Sequence, residues 1–112
     1  VPRLTSNHFR LLFGLCALAV LVLSLLPPDI PEPTTGWDKT NHMLAFGVLA
    51  ALGVRSWPGR VWPVIVWLVA YGGLIEILQS LTSYRDASWP DLLADSLGIA
   101  IGLMLSYRAI RA

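Results

Sequence analysis

Residues 61–81, VWPVIVWLVAYGGLIEILQSL, carry one charged side chain, Glu76, in a run made mostly of aliphatic, aromatic and small residues. A bilayer core is crossed by roughly 20 mainly apolar helical residues, which is the length of this run. Pro63 falls in its first turn, where the missing N–H has no helical partner to lose. Working outward, the flanking sequence supplies further apolar runs instead of a polar coat. Residues 8–26, HFRLLFGLCALAVLVLSLL, form a span whose polar ends, His8 and Arg10, can snorkel to an interface, and Pro27-Pro28 stops it. Residues 37–57 lie between Trp37 and Trp57, an interfacial pair, with Thr35 and Asp38 in the spacing of a capping-box start. Residues 89–107 follow a second cap-like start, Ser88-Trp89-Pro90-Asp91. The expected fold is an all-α integral membrane protein, a four-transmembrane-helix bundle with short loops and antiparallel neighbours, in one domain over 1–112.

Composition points the same way. Of 112 residues, 55% are hydrophobic and 13% charged, with mean hydropathy +0.64, whereas a soluble domain carries about a quarter of its residues charged. Cys16 is the single cysteine and lies in an apolar run, which excludes a disulfide scaffold. No basic patch interleaved with aromatics suggests nucleic acid. A basic start before an apolar run also fits a signal peptide, but Ser24-Leu25-Leu26-Pro27 is a poor cleavage site, and Leu15 stands before Cys16 where a lipoprotein signal needs a small residue. The first span is therefore expected to stay.

Charge position sets the expected orientation. Arg3, Arg10, Arg55, Arg60, Arg108 and Arg111 fall on one side with no acid among them. Lys39 and Arg85 fall on the other, with all seven acids: Asp29, Glu32, Asp38, Glu76, Asp86, Asp91 and Asp95. The positive-inside rule then puts both termini and the middle loop in the cytoplasm.

The acids are concentrated. Asp38 and His42 are four apart; Gly72, Glu76, Gln79 and Ser83 follow a 4,3,4 spacing; Asp91, Asp95, Gly98 and Gly102 repeat it. Charges are expensive against lipid, so these stripes are expected to face the bundle interior. Gly98 and Gly102 also permit close helix approach. At about 1.5 Å per residue, His42, Glu76 and Asp95 come to one depth, roughly 6 to 8 Å under the outer surface. Asp38, Lys39, Gln79, Arg85 and Asp91 form an expected ring above them. The first span offers almost nothing polar beyond Ser24. Each residue also has a structural reading. Asp38 and Asp91 suit helix starts, His42 a hydrogen bond between helices, Arg85 the neutralising of acids, and the glycines packing. Trp62, Trp67 and Trp89 read as interfacial or lipid-facing bulk. Convergence is what favours a site.

Asp38-Lys39-x-x-His42-x-x-x-Phe46, then Tyr71-Gly72-x-x-x-Glu76-x-x-Gln79, Arg85, and Asp91-x-x-x-Asp95-x-x-Gly98-x-x-x-Gly102 resemble the VanZ-like family over about residues 37–102. The resemblance implies a small multi-pass protein of the bacterial cytoplasmic (inner) membrane, in a context of resistance to the glycopeptide teicoplanin. One position departs: the family more usually has Asn where Asp95 stands, which puts in doubt any role that needs a neutral amide.

The expected function is the handling of an amphiphilic or lipid-linked ligand through an outward-facing polar pocket, with the lipid bilayer as the constant partner. Arg85, Lys39, Asp38, Gln79 and Asp91 are the candidate binding residues. The alternative is an acid/base or metal-assisted enzyme acting on a lipid-linked or phosphate-bearing envelope substrate. Glu76, His42 and Asp95 would then be catalytic, or, if a divalent ion binds, its ligands. No cofactor is required by the sequence, and one histidine without a second at ligand spacing argues against zinc. Transport ranks last, because the inner halves of the spans carry no matching ionisable residues.

Overall fold

The computed structural model describes residues 4–27, 38–83 and 89–111; of Asp38 it describes the backbone. Among these residues the secondary structure is all helical: α1 Ser6–Leu25, α2 Asp38–Ser56, α3 Val61–Ser80, α4 Trp89–Leu105 and the short α5 Tyr107–Arg111. The ends of the four long helices fall within two residues of the ends expected for the four apolar stretches, and the short α5 has no counterpart among them. Two of them, α1 and α3, are long and apolar enough to cross a membrane. At 19 and 17 residues, α2 and α4 reach about 28 and 25 Å, and α2 carries Lys39, Asn41, His42 and Arg55 along its length.

The expected helix-start boxes at Thr35 and Ser88 lie outside the described residues. A capping box does open α1. The His8 backbone N–H donates to Thr5 Oγ1 at 3.4 Å, and the Thr5 backbone N–H donates to His8 Nδ1 at 3.1 Å. His8 is thus a cap rather than only a snorkelling end. Between α2 and α3 the chain reverses through Trp57-Pro58-Gly59-Arg60. The Arg60 N–H donates to the Trp57 carbonyl at 3.1 Å, and Gly59 has φ +78°. Proline second and a positive-φ glycine third is the residue pattern of a type II turn.

The four long helices alternate in direction. At one end Arg10 of α1 meets Ser56 of α2, its Nε donating to the Ser56 carbonyl at 2.9 Å. That carbonyl is among the last four of α2, which have no partner within the helix. Arg55 Nη1 donates to Ser106 Oγ at 2.8 Å there, which joins α2 to the α4–α5 junction. At the other end Gln79 Nε2 of α3 donates to the Ser24 carbonyl of α1 at 2.9 Å. Midway, the Tyr71 hydroxyl donates to the Ala17 carbonyl. So α1 and α3 run one way, α2 and α4 the other. The core between them is Phe13, Ala17, Phe46, Leu49, Ala50, Val54, Val64, Leu68, Ile75 and Ile99. Large apolar side chains also cover the outside, Leu11, Leu15, Leu18, Val66, Ile77, Leu97 and Met104 among them.

The closest pairing is between α2 and α4, and glycine makes it possible. A Cβ built on Gly98 would meet the Met43 carbonyl oxygen and lie 2.8 Å from Met43 Cα; one built on Gly102 would meet the Gly47 carbonyl oxygen and lie 3.0 Å from its carbon. The two backbones are in contact, as small residues four apart allow. Gly98 and Gly102 therefore address α2.

Candidate functional site

The α2–α4 contact decides what short side chains reach. Asp95 lies three residues before Gly98 on the same face of α4, and His42 precedes Met43, the residue Gly98 touches. With the helices this close, an aspartate spans the gap. Asp95 Oδ1 lies 2.7 Å from His42 Nδ1. Asp95 is 1% exposed and Glu76 8%, so both carboxyl groups are withdrawn from the surface despite sitting in apolar helices.

His42 stands between two aspartates. Its Nε2 lies 3.7 Å from Asp91 Oδ2, one helical turn nearer the start of α4. Lys39 Nζ lies 3.5 Å from Asp91 Oδ1. Glu76 comes in from α3: His42, Glu76 and Asp91 each present an atom able to bind a metal within 4.8 Å of the other two. Three carboxyl groups from α3 and α4 thus gather around one imidazole of α2, and the Lys39 ammonium sits on Asp91. With Asp95 ionised, the contact is Nδ1–H donating to Oδ1, and the Nε2 edge of the ring faces Asp91. An oriented imidazole of this kind can take a proton or bind a cation.

Gly72 on α3 makes room for the second oxygen of Asp95. A Cβ built there would lie 2.8 Å from Asp95 Oδ2. That oxygen is buried and has no hydrogen-bond partner among the described residues. Buried polar atoms are satisfied in the great majority of cases, so this one marks a place where something other than packing sets the residue.

Of the residues singled out in the sequence, His42, Glu76, Asp91 and Asp95 come together, with Lys39 on Asp91. Asp91 joins the group around His42 Nε2, and Asp95 stands behind the ring on Nδ1. The imidazole reaches both because its two nitrogens span a full turn of α4. Gln79 is 4% exposed and its amide is engaged with the α1 carbonyl described above. The Asp38 side chain and all of Arg85 lie outside the described residues.

Nothing in the sequence points to α1 taking part through its carbonyls, because main-chain acceptors carry no residue-type signature. Nor did it single out Tyr71 beyond its place in a motif. Its ring stacks on Trp67 with centroids 4.9 Å apart and tilts against Phe46 at 6.3 Å, so that one aromatic column braces α3 below Glu76.

Comparison with known proteins adds the family. No curated protein matches the chain, and no solved structure does. The sequence model of the VanZ/LLP1 family matches residues 5–111, a wider stretch than the 37–102 over which the motifs resemble it. Because the match runs through all five helices and takes in every side chain of the cluster, the chain belongs to the VanZ/LLP1 family.

Proposed function

We propose that this VanZ-like protein is a multi-pass protein of the bacterial cytoplasmic membrane that handles an amphiphilic or lipid-linked ligand at the outer leaflet. In this reading α1–α4 all span, both termini are cytoplasmic, and the His42 cluster opens outward. The observation that carries it is the convergence of His42, Glu76, Asp91 and Asp95 from three helices at one end of a largely apolar assembly, with no acid at the other end. Ionisable groups at such depth are functional by default, and hydrogen bonds between membrane helices reward their burial weakly. Lys39 and Arg85 supply positive charge for an anionic headgroup. The family context makes teicoplanin the first ligand to try.

The test is expression in a teicoplanin-susceptible Gram-positive host. The wild-type chain raises the inhibitory concentration, and His42→Ala, present in the membrane at equal level, does not. Equal protection by both sinks the role of the cluster, and no protection by either sinks teicoplanin as the ligand. Reporter fusions at the two termini and in the 57–60 turn check orientation: cytoplasmic readouts at all three are expected.

A second reading is favoured by one observation, the mutual approach of His42, Glu76 and Asp91 to within 4.8 Å. One imidazole and two carboxylates suit a divalent ion of intermediate hardness such as manganese, with Asp95 orienting the imidazole from behind. The cluster would then serve an acid/base or metal-assisted reaction on a phosphate-bearing envelope substrate. Metal analysis of protein purified without chelator distinguishes the two readings: one equivalent, lost in Glu76→Gln, supports the enzyme.

A further inference from the structure

At the end of the molecule opposite the His42 cluster, a cavity of about 610 Å³ lies between α1, the α2–α3 turn and the start of α3. We propose that this cavity is a second, separate site, which holds the headgroup and upper chains of an anionic phospholipid. The proposal rests on the membrane reading above but not on any role of the acidic cluster.

Size, charge and wall chemistry each support it. Ligand pockets span roughly 300 to 1,000 Å³, and this one is lined by two arginines, Arg10 and Arg60, and by Phe13, Trp57, Pro63 and Trp67 among its apolar walls. Arg10 is already aimed. Its Nε donates to the Ser56 carbonyl and its guanidinium lies 5.6 Å from the Trp57 ring centroid. That bond uses Nε, while Nη1 and Nη2 carry the other donors of a fork that suits two phosphate oxygens. Phe13 meets Trp57 edge-on at 5.2 Å and Trp67 at 5.3 Å, which gives the cavity a rigid aromatic wall. Arg55 is engaged elsewhere, with the Ala51 carbonyl and Ser106 Oγ.

The sequence around this end supplies six arginines and no acid, since all seven acids belong to the other side. An anion is the missing complement. A guanidinium pair above apolar and indole walls asks for a molecule with a negative head and a lipophilic body. Basic pockets between helices on the cytoplasmic side bind anionic headgroups for this reason.

Native mass spectrometry of the full chain in detergent tests this with two lipids of identical chains, dioleoyl phosphatidylglycerol and dioleoyl phosphatidylcholine. One phosphatidylglycerol per chain is expected to be retained in preference to phosphatidylcholine. Arg10→Gln with Arg60→Gln lowers that retention about tenfold, because both phosphate contacts go. Arg108→Gln with Arg111→Gln removes the same charge from the same end outside the cavity and leaves retention within about twofold. Arg60→Gln alone, at an exposed turn position, gives an intermediate loss and keeps the test valid if removing Arg10 unfolds the protein. Equal retention of the two lipids overturns the proposal, as does equal loss in the two double variants. Full displacement by millimolar inorganic phosphate overturns it in favour of a simple anion site. A tight dimer that excludes lipid overturns it in favour of a second copy of the chain.

Discussion

Asp95 holds His42 by Nδ1 at 2.7 Å from a position that is 1% exposed, so the imidazole is fixed from behind and its Nε2 faces Asp91. A buried carboxylate whose visible task is to orient an imidazole suggests that the free edge of that ring matters. Asparagine keeps an oxygen that can accept from Nδ1–H, whereas alanine keeps none. Asp95→Asn is therefore expected to retain the fold, and Asp95→Ala to lose about 1 to 3 kcal/mol for the stranded donor. Thermal unfolding in detergent measures both. Nitrogen-15 shifts of the His42 ring check the tautomer, with Nδ1 carrying the proton.

Gly72→Ala is predicted to act through Asp95. The new methyl would sit 2.8 Å from Asp95 Oδ2, and the carboxylate must give way. Combined with Asp95→Ala, the substitution should be milder than alone, with a coupling of about 0.5 to 3 kcal/mol in a double-mutant cycle. Additive effects would mean that Gly72 serves some other neighbour.

Glycines at the α2–α4 contact are predicted to differ sharply from glycines elsewhere in the helices. Gly98→Ala puts a methyl against Met43 backbone that cannot rotate away, and overpacking of this kind costs about 1 to 3 kcal/mol. Gly14 and Gly73 have nothing within 4 Å of a built Cβ. Alanine there should be neutral, or stabilising by up to about 1 kcal/mol through helix propensity. Unfolding midpoints of the three single variants decide it.

Divalent ions provide a test of the cluster as a ligand set. If His42, Glu76 and Asp91 bind manganese, the ion at a hundredfold excess over its dissociation constant stabilises the wild type by about 2.7 kcal/mol. Glu76→Gln and Asp91→Asn should lose that shift, and Gln79→Ala should keep it, since its amide is engaged with α1. A shift that survives in all three variants would place the ion elsewhere.

Gln79→Ala is expected to cost about 1 kcal/mol, the worth of an ordinary hydrogen bond. Ser24→Ala should cost nothing measurable through this contact, because the acceptor is the Ser24 main-chain carbonyl. Comparable losses in the two would show that the serine hydroxyl has a task of its own.

How much of this was readable beforehand follows from what each feature depends on. The helices were legible because apolar length and stops such as Pro27 are properties of the sequence itself. The grouping of His42, Glu76, Asp91 and Asp95 was legible because a stripe at 4,3,4 spacing leaves one direction for polar side chains. The division of labour between the two aspartates was not, since it depends on how far α4 approaches α2 and how an imidazole spans a turn. Gln79 shows a second limit. A polar residue on the site-facing stripe read as a binding group, yet its partner is a carbonyl at the end of α1, where helical carbonyls lack internal partners. The cavity at Arg10 and Arg60 was hidden for a similar reason: the two arginines read as orientation signals, and nothing in their spacing says that they line one cavity with Trp57 and Trp67.

The way α1 is attached has an evolutionary consequence. Tyr71 and Gln79 donate to α1 carbonyls, and carbonyls are present whatever side chain position 17 or 24 carries. The neighbours therefore grip α1 as a peptide rather than as a particular sequence. Phe13, wedged between Trp57 and Trp67, and the small buried Ala17 are held to their type; elsewhere along α1, drift from one apolar residue to another leaves both grips intact. Selection on this helix should act on length, hydrophobicity, those two positions and Arg10, so that the rest of it diverges fastest among relatives while the set of residues facing His42 stays still.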